Sequence, residues 1–94
     1  MIANLRPMDI QQFQRLIAEK YEKRDRQRGT PATFMWFMEE IGELATALSS
    51  QDKSNKEEEF ADVFAWLCTL ANISEVDLEK ACEKYTKNQV DGFK

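Results

Sequence analysis

The scarcity of helix breakers constrains this chain more than any other feature. Only two prolines and three glycines occur in 94 residues. Between them run long stretches rich in Glu, Lys, Gln, Leu, Ala and Met, the residues that enter helices at least cost. The sequence therefore reads as all-helical. The first helix is predicted from about Met8 to Arg28, with Ile10, Phe13, Ile17 and Tyr21 on one stripe and Gly29 following a basic last turn. Thr30 and Pro31 read as an N-cap and a first helical residue, opening a second helix to about Ser49. After the polar turn SSQDKSN, Ser54 and Glu57 make a capping-box pattern for a third helix reaching about Ala71, with Asn72 as its stop. Ser74 opens a fourth, which carries Leu78, Ala81, Cys82 and Tyr85 inward and extends to about Val90. Amphipathic helices with short connections imply an antiparallel four-helix bundle. No repeat or composition shift divides residues 1–94 into more than one domain.

Composition narrows the function. Acidic residues outnumber basic ones by 17 to 13, which argues against a nucleic-acid polymer as partner, because phosphate contacts need clustered Lys and Arg. No apolar run reaches the roughly 20 residues that span a bilayer, and the N-terminal segment lacks a signal-peptide core, so a soluble, cytoplasmic protein is expected. The chain has no His, and its two cysteines, Cys68 and Cys82, form no C-x-x-C pair. Zinc-finger, Ser-His-Asp and Cys-His chemistry lose their ligands, and both thiols are expected to be buried and free. A chain this short buries a limited share of its surface, so association with a second subunit is also expected.

What remains is carboxylate chemistry. The stretch FMWFMEEIGELATAL, Phe34 to Leu48, sets Glu39, Glu40 and Glu43 among apolar residues. At about 100° per residue, Phe34, Phe37, Ile41, Leu44, Ala45 and Leu48 share a core face, while Trp36, Glu40, Glu43 and Ala47 form a stripe to one side. On the third helix, Phe60, Val63, Phe64, Leu67, Leu70 and Ala71 share a face, and Glu59, Asp62, Trp66 and Thr69 form a stripe displaced in the same rotational sense. Reversing one helix in an antiparallel pair brings both stripes to the same side. Glu40 and Glu43 then meet Glu59 and Asp62. Four carboxylates in one site repel, and a hard cation relieves them near neutral pH; oxygen-only ligands suit Mg²⁺ or Mn²⁺, with Ca²⁺ less constrained and Zn²⁺ disfavoured. An acidic i, i+3 pair taken singly is usually a solvated face. Here the two pairs converge, with Trp36 one turn before Glu40 and Trp66 one turn after Asp62.

The block EEIGE, Glu39 to Glu43, followed after 15 residues by EFAD, Glu59 to Asp62, resembles the paired acidic signature of the MazG-like all-α nucleotide pyrophosphohydrolases. The likeness extends to DRQRGTPATFMWFMEEIGELATAL, EEEFADVFAWLCTLA and KACEKYTKN, most of the chain. It implies hydrolysis of a nucleoside triphosphate to monophosphate and pyrophosphate, with Mg²⁺ held by Glu40, Glu43, Glu59 and Asp62. It also implies a homodimer or homotetramer. Catalytic base assistance is assigned to Glu43, with Glu39 as the alternative. Relatives carry Tyr where Trp66 stands, so Trp66 serves either as a stacking platform or as core; Trp36 lies beside it as a substrate-binding candidate. Lys84, Lys87 and Asn88 match positions that relatives use near the phosphates, and a solvated face accounts equally for the lysines. Arg24, Arg26 and Arg28 are read as favourable charges at a helix C-terminus. Gly42, costly inside a helix, suggests close helix packing. Rival expectations are a phosphoribosyl-ATP pyrophosphohydrolase and a non-catalytic, metal-binding helical oligomerisation module.

Overall fold

A computed structural model describes residues 8–87. Three long helices dominate, α1 (Ile10–Arg28), α2 (Thr30–Leu48) and α3 (Lys53–Ile73), followed by two single turns, α4 (Leu78–Ala81) and α5 (Glu83–Thr86). The expected fourth helix is thus broken at Cys82, and its end near Val90 lies outside the described residues. No strand occurs among the described residues, and no helix there is long and apolar enough to cross a membrane.

Local chemistry sets the boundaries. Asp9 caps α1 in a reciprocal box with Gln12, accepting its N–H at 2.7 Å and donating its own to Oε1 at 3.3 Å. Gly29, at φ 87°, serves two helices at once. Its N–H donates to the Asp25 carbonyl at 3.0 Å, and its carbonyl accepts from Thr33 at 3.1 Å. A left-handed φ favours glycine, and it turns the chain straight into α2, so Thr30 is a helical residue rather than the N-cap. The third helix starts one residue before Ser54, because the Asp52 carboxylate reaches the Asn55 N–H at 3.1 Å and acts as the cap. Likewise Asp77, not Ser74, caps α4, accepting from Lys80 at 3.1 Å. Asn72 does not stop α3; its side chain is occupied by α1 and the helix runs on to Ile73.

The α3 helix lies between α1 and α2 and packs on both, while α4 returns to α1. On the α1 side, Phe13 stacks on Phe64 with ring centroids 5.4 Å apart, and Ile17 is buried. Gln14, also buried, clamps the α3–α4 turn. Its amide donates to Asn72 Oδ1 (3.0 Å) and the Val76 carbonyl (2.7 Å), and its Oε1 accepts from the Leu78 N–H (2.9 Å). The turn itself passes through Glu75 at φ 60°.

The α2 side corrects the sequence reading. Its buried residues are Thr33 and Ala47, and those of α3 are Cys68, Thr69 and Ala71. The seam runs through the stripe containing the acids, where small residues let two backbones approach. Phe34, Leu48, Phe60 and Leu67, expected in the core, are exposed among the described residues, where α4 packs on α1. Cys82 is likewise exposed and only Cys68 is buried, where desolvation pushes its thiol up to about 11. No described residue lies within 4 Å of the position a Cβ would take at Gly42, so close packing among the described residues does not explain it.

Candidate active site

The short link between α2 and α3 folds the acidic stripes against one another. One carboxylate oxygen from each of Glu40, Glu43 and Glu59 lies within 4.8 Å of the other two. Glu40 and Glu59 are half-buried and Glu43 is exposed. Asp62 stands outside this trio, yet its charge reaches both Glu40 and Glu59. Burial raises the Glu40 carboxyl above the usual carboxylate range, and repulsion from Glu43, Asp62, Glu59 and Glu39 adds to it. Burial also raises Glu59, followed by repulsion from Glu43, Asp62 and Glu58. Glu39 itself points to solvent.

Among the described residues no ion pair answers these charges. The pairs formed there join Arg26 to Glu22 and Glu75, Arg28 to Asp25, and Lys87 to Glu83, and none reaches the cluster. Glu59 Oε1 is shielded from solvent with no hydrogen-bond donor. A shielded carboxylate oxygen left this way is costly unless a proton or a bound group completes it. Mg²⁺ binds through oxygen at about 2.0–2.1 Å, which keeps its ligand oxygens no more than about 4.2 Å apart. The trio, whose oxygens lie within 4.8 Å of one another, is gathered on nearly that scale, and the oxygen-only donor set suits the same ion.

Trp36 and Trp66 stack beside the acids, with centroids 6.4 Å apart and planes 17° from parallel. Trp36 is about half exposed and Trp66 is partly buried. The structure therefore brings six predicted site residues to one seam, Glu40, Glu43, Glu59, Trp36 and Trp66 closely and Asp62 at the edge of the acidic trio. The lysines are elsewhere engaged: Lys84 lies 5.0 Å over the Tyr85 ring, and Lys87 donates to Glu83 at 3.1 Å. Asn88 lies outside the described residues.

Sequence reasoning missed the neighbouring wall from α1. Asp25 is only 2 % exposed. Arg28 donates to Asp25 Oδ1 at 2.8 Å and to Thr33 Oγ1 at 3.1 Å, and places its guanidinium 5.1 Å from the Trp66 ring centre. Arg28 is thus more than a favourable helix-terminal charge. The i, i+3 spacing of Asp25 and Arg28 was the available signal, but inside EKRDRQR it is indistinguishable from a solvated helix end.

An all-helical domain with an oxygen-only carboxylate cluster next to stacked aromatics defines a class of helical protein suited to cation-linked anionic ligands. Residues 30–89 match the family model of the MazG nucleotide pyrophosphohydrolase domain, and the chain belongs to that family. The match takes in α2 and α3, hence both acidic stripes, and leaves α1 outside. None of the curated proteins compared with the chain matches it.

Proposed function

We propose that the protein is a Mg²⁺-dependent nucleoside triphosphate pyrophosphohydrolase, converting ribo- or deoxyribonucleoside triphosphates to monophosphates and pyrophosphate, with clearance of noncanonical nucleotides as a use. The observation that carries this reading is the uncompensated carboxylate set at the α2–α3 seam, with its orphaned Glu59 oxygen. Glu40, Glu43, Glu59 and Asp62 hold the metal, for which Mn²⁺ can substitute. When bound, the cation supplies charge neutralisation for a polyphosphate and a lowered barrier for water attack at the α-phosphorus. Glu43, the most solvent-open member of the trio, takes the proton from the attacking water; Glu39 is the alternative base. Trp36 and Trp66 orient the nucleoside. Lys84 and Lys87, once they leave Tyr85 and Glu83, contribute to the phosphate end together with Asn88.

The open apolar face supports assembly. Phe34, Met35, Met38 and Leu48 of α2 and Phe60 and Leu67 of α3 are exposed, a concentration of large apolar side chains that monomers rarely present to water. A second copy covers this face, giving a homodimer or, by pairing of dimers, a homotetramer in the cytoplasm. Sedimentation at increasing concentration reads the assembly directly.

The deciding experiment measures pyrophosphate release with Mg²⁺ from all ribo- and deoxyribonucleoside triphosphates and from phosphoribosyl-ATP. Release from the triphosphates is expected. Release from phosphoribosyl-ATP alone transfers the assignment to that substrate, and metal-dependent thermal stabilisation with no release from any of them leaves an oligomerising metal-binding module.

A further inference from the structure

Arg28 ties three helices together at the edge of the acidic seam. It closes α1, and one of its terminal nitrogens donates to the buried Asp25 carboxylate at 2.8 Å. The other donates at 3.1 Å to the hydroxyl of Thr33, a fully buried residue of α2. Its guanidinium carbon lies 5.1 Å from the ring centre of Trp66 on α3, within the roughly 6 Å reach of a cation–π contact. Trp66 in turn stacks on Trp36 of α2, with centroids 6.4 Å apart and planes 17° from parallel. Trp66 is thus engaged by two neighbours. Trp36 keeps 49 % of its surface exposed and lies one turn before Glu40, so the aromatic surface left open beside the acids is that of Trp36.

We infer that Arg28 is a positioning residue: held by Asp25 and Thr33, it fixes Trp66, and through Trp66 it fixes Trp36 as the platform on which the base of the nucleotide stacks. The nucleotide identity of the ligand rests on the pyrophosphohydrolase reading; the positioning rests on the contacts of Arg28. A guanidinium suits this task where an ammonium does not, because it is planar, carries its donors in a rigid fork and packs against aromatic rings. Two bonds to buried acceptors leave it little freedom to turn, so α1 and α2 together set its placement against Trp66. Leaving that position would strand the Asp25 carboxylate in the interior without its cation, which is strongly unfavourable. An indole without such a neighbour has other staggered side-chain orientations open to it. Affinity then falls by the fraction of molecules in which the platform is out of place. Asp25 and Arg28 precede residues 30–89, so this support comes from outside the segment that matches the family.

The test reads the indole pair and the ligand separately, on the whole chain. Two stacked indoles this close couple their electronic transitions, so the wild type should show an exciton couplet in circular dichroism that disappears in Trp66→Leu. Arg28→Lys keeps a cation beside Asp25 but cannot bond both acceptors while packing on the ring. It is expected to diminish the couplet. It should also weaken binding of the common deoxynucleoside monophosphates in Mg²⁺ by about tenfold, the scale of one base stacked on an aromatic side chain. Inorganic pyrophosphate in Mg²⁺ has no base to stack, and its binding should be unchanged, whereas a general loosening of the fold weakens both ligands. In a Trp66→Leu background Arg28→Lys should have no further effect on the monophosphates, because its influence passes through that ring. An unchanged couplet or unchanged monophosphate binding in Arg28→Lys, an equal loss for pyrophosphate, or the full loss persisting in Trp66→Leu would each overturn the assignment. If Arg28→Lys does not fold, Thr33→Val makes the same comparison, since it removes one acceptor and no charge and should shift couplet and binding in the same direction by less. Pyrophosphate release with a nucleotide affinity indifferent to Arg28 breaks the positioning role alone, and nucleotide binding that depends on Arg28 with no release breaks the hydrolase reading alone.

Discussion

Gln14 and Glu59 both hold side-chain polar atoms away from solvent, and the chain treats them in opposite ways. Around Gln14 the polar inventory closes: the amide has two acceptors, the carbonyl oxygen has a backbone donor, and Asn72 returns a bond to the Gln14 carbonyl at 3.3 Å. Around Glu59, one carboxylate oxygen has no donor and the nearest charges have the same sign. A closed set of hydrogen bonds fixes two pieces of chain together. An open set of carboxylates does the reverse, since folding has to overcome their repulsion; on the proposed reading a bound cation offsets it. Gln14 thus joins two pieces of chain, and Glu59 offers the oxygen that the proposed metal site would use.

The largest effect that separates the two regions is on turnover. Exchanging Glu40→Gln and Asp62→Asn together should lower pyrophosphate release at least about 10³-fold, on the order of 4 kcal/mol in the barrier. Without metal the same variant should melt no lower than the wild type, because two mutually repelling charges are removed. A matched loss of stability and turnover would move the acids into the structural category. Next in size is Gln14→Ala. It orphans the Leu78 N–H and Asn72 and should cost roughly 2–3 kcal/mol in denaturant unfolding, while turnover per folded molecule stays near the wild-type value.

Acidity probes the open set directly. The folded-state carboxyls of Glu40 and Glu59 lie above their ordinary value of 4.5. The native state therefore holds these protons more tightly than the unfolded chain does. Their contribution favours folding below the ordinary carboxylate range and is lost as pH rises through the raised folded values. In EDTA, the melting temperature of the wild type should accordingly fall relative to Glu40→Gln as pH increases from about 4 towards neutrality. Saturating Mg²⁺ should remove or reverse that divergence, because the wild type keeps the Glu40 carboxylate that the variant lacks. Asp77 acts in the other direction, since the Lys80 N–H and then Gln11 hold its carboxyl low, which is why the comparison has to be made against the variant.

The acidic stripes were legible because helical periodicity fixes which residues share a face, and Glu40, Glu43 and Glu59 converge as their spacing required. The three long helices were legible for the same reason. What periodicity does not carry is which face another helix will cover. Phe34 and Leu48 look like core residues on any helical projection, yet they are exposed, while the small Thr33 and Ala47 are the residues of α2 that are buried. Capping suffered from local ambiguity: Asp52 and Ser54, or Ser74 and Asp77, are alternative caps until the turn geometry chooses. Asp25 illustrates the remaining gap. Its burial depends on α3 arriving from 40 residues away in sequence, and charge patterning within α1 gives no hint of that.

The smallest effect concerns Gly42, which lies on α2 between the two kinds of surface. A Cβ there meets no described residue within 4 Å, and glycine costs a helix interior about 1 kcal/mol relative to alanine. Gly42→Ala should therefore stabilise the protein by up to about 1 kcal/mol, or roughly 4–8 °C in melting temperature for a domain of this size. Denaturant unfolding at several protein concentrations checks the value and its origin. A gain independent of concentration reflects helix propensity alone and places Gly42 in solvent. A loss that grows with dilution means that the added methyl group meets a second copy, which would put the close approach suggested by this glycine between subunits rather than within one.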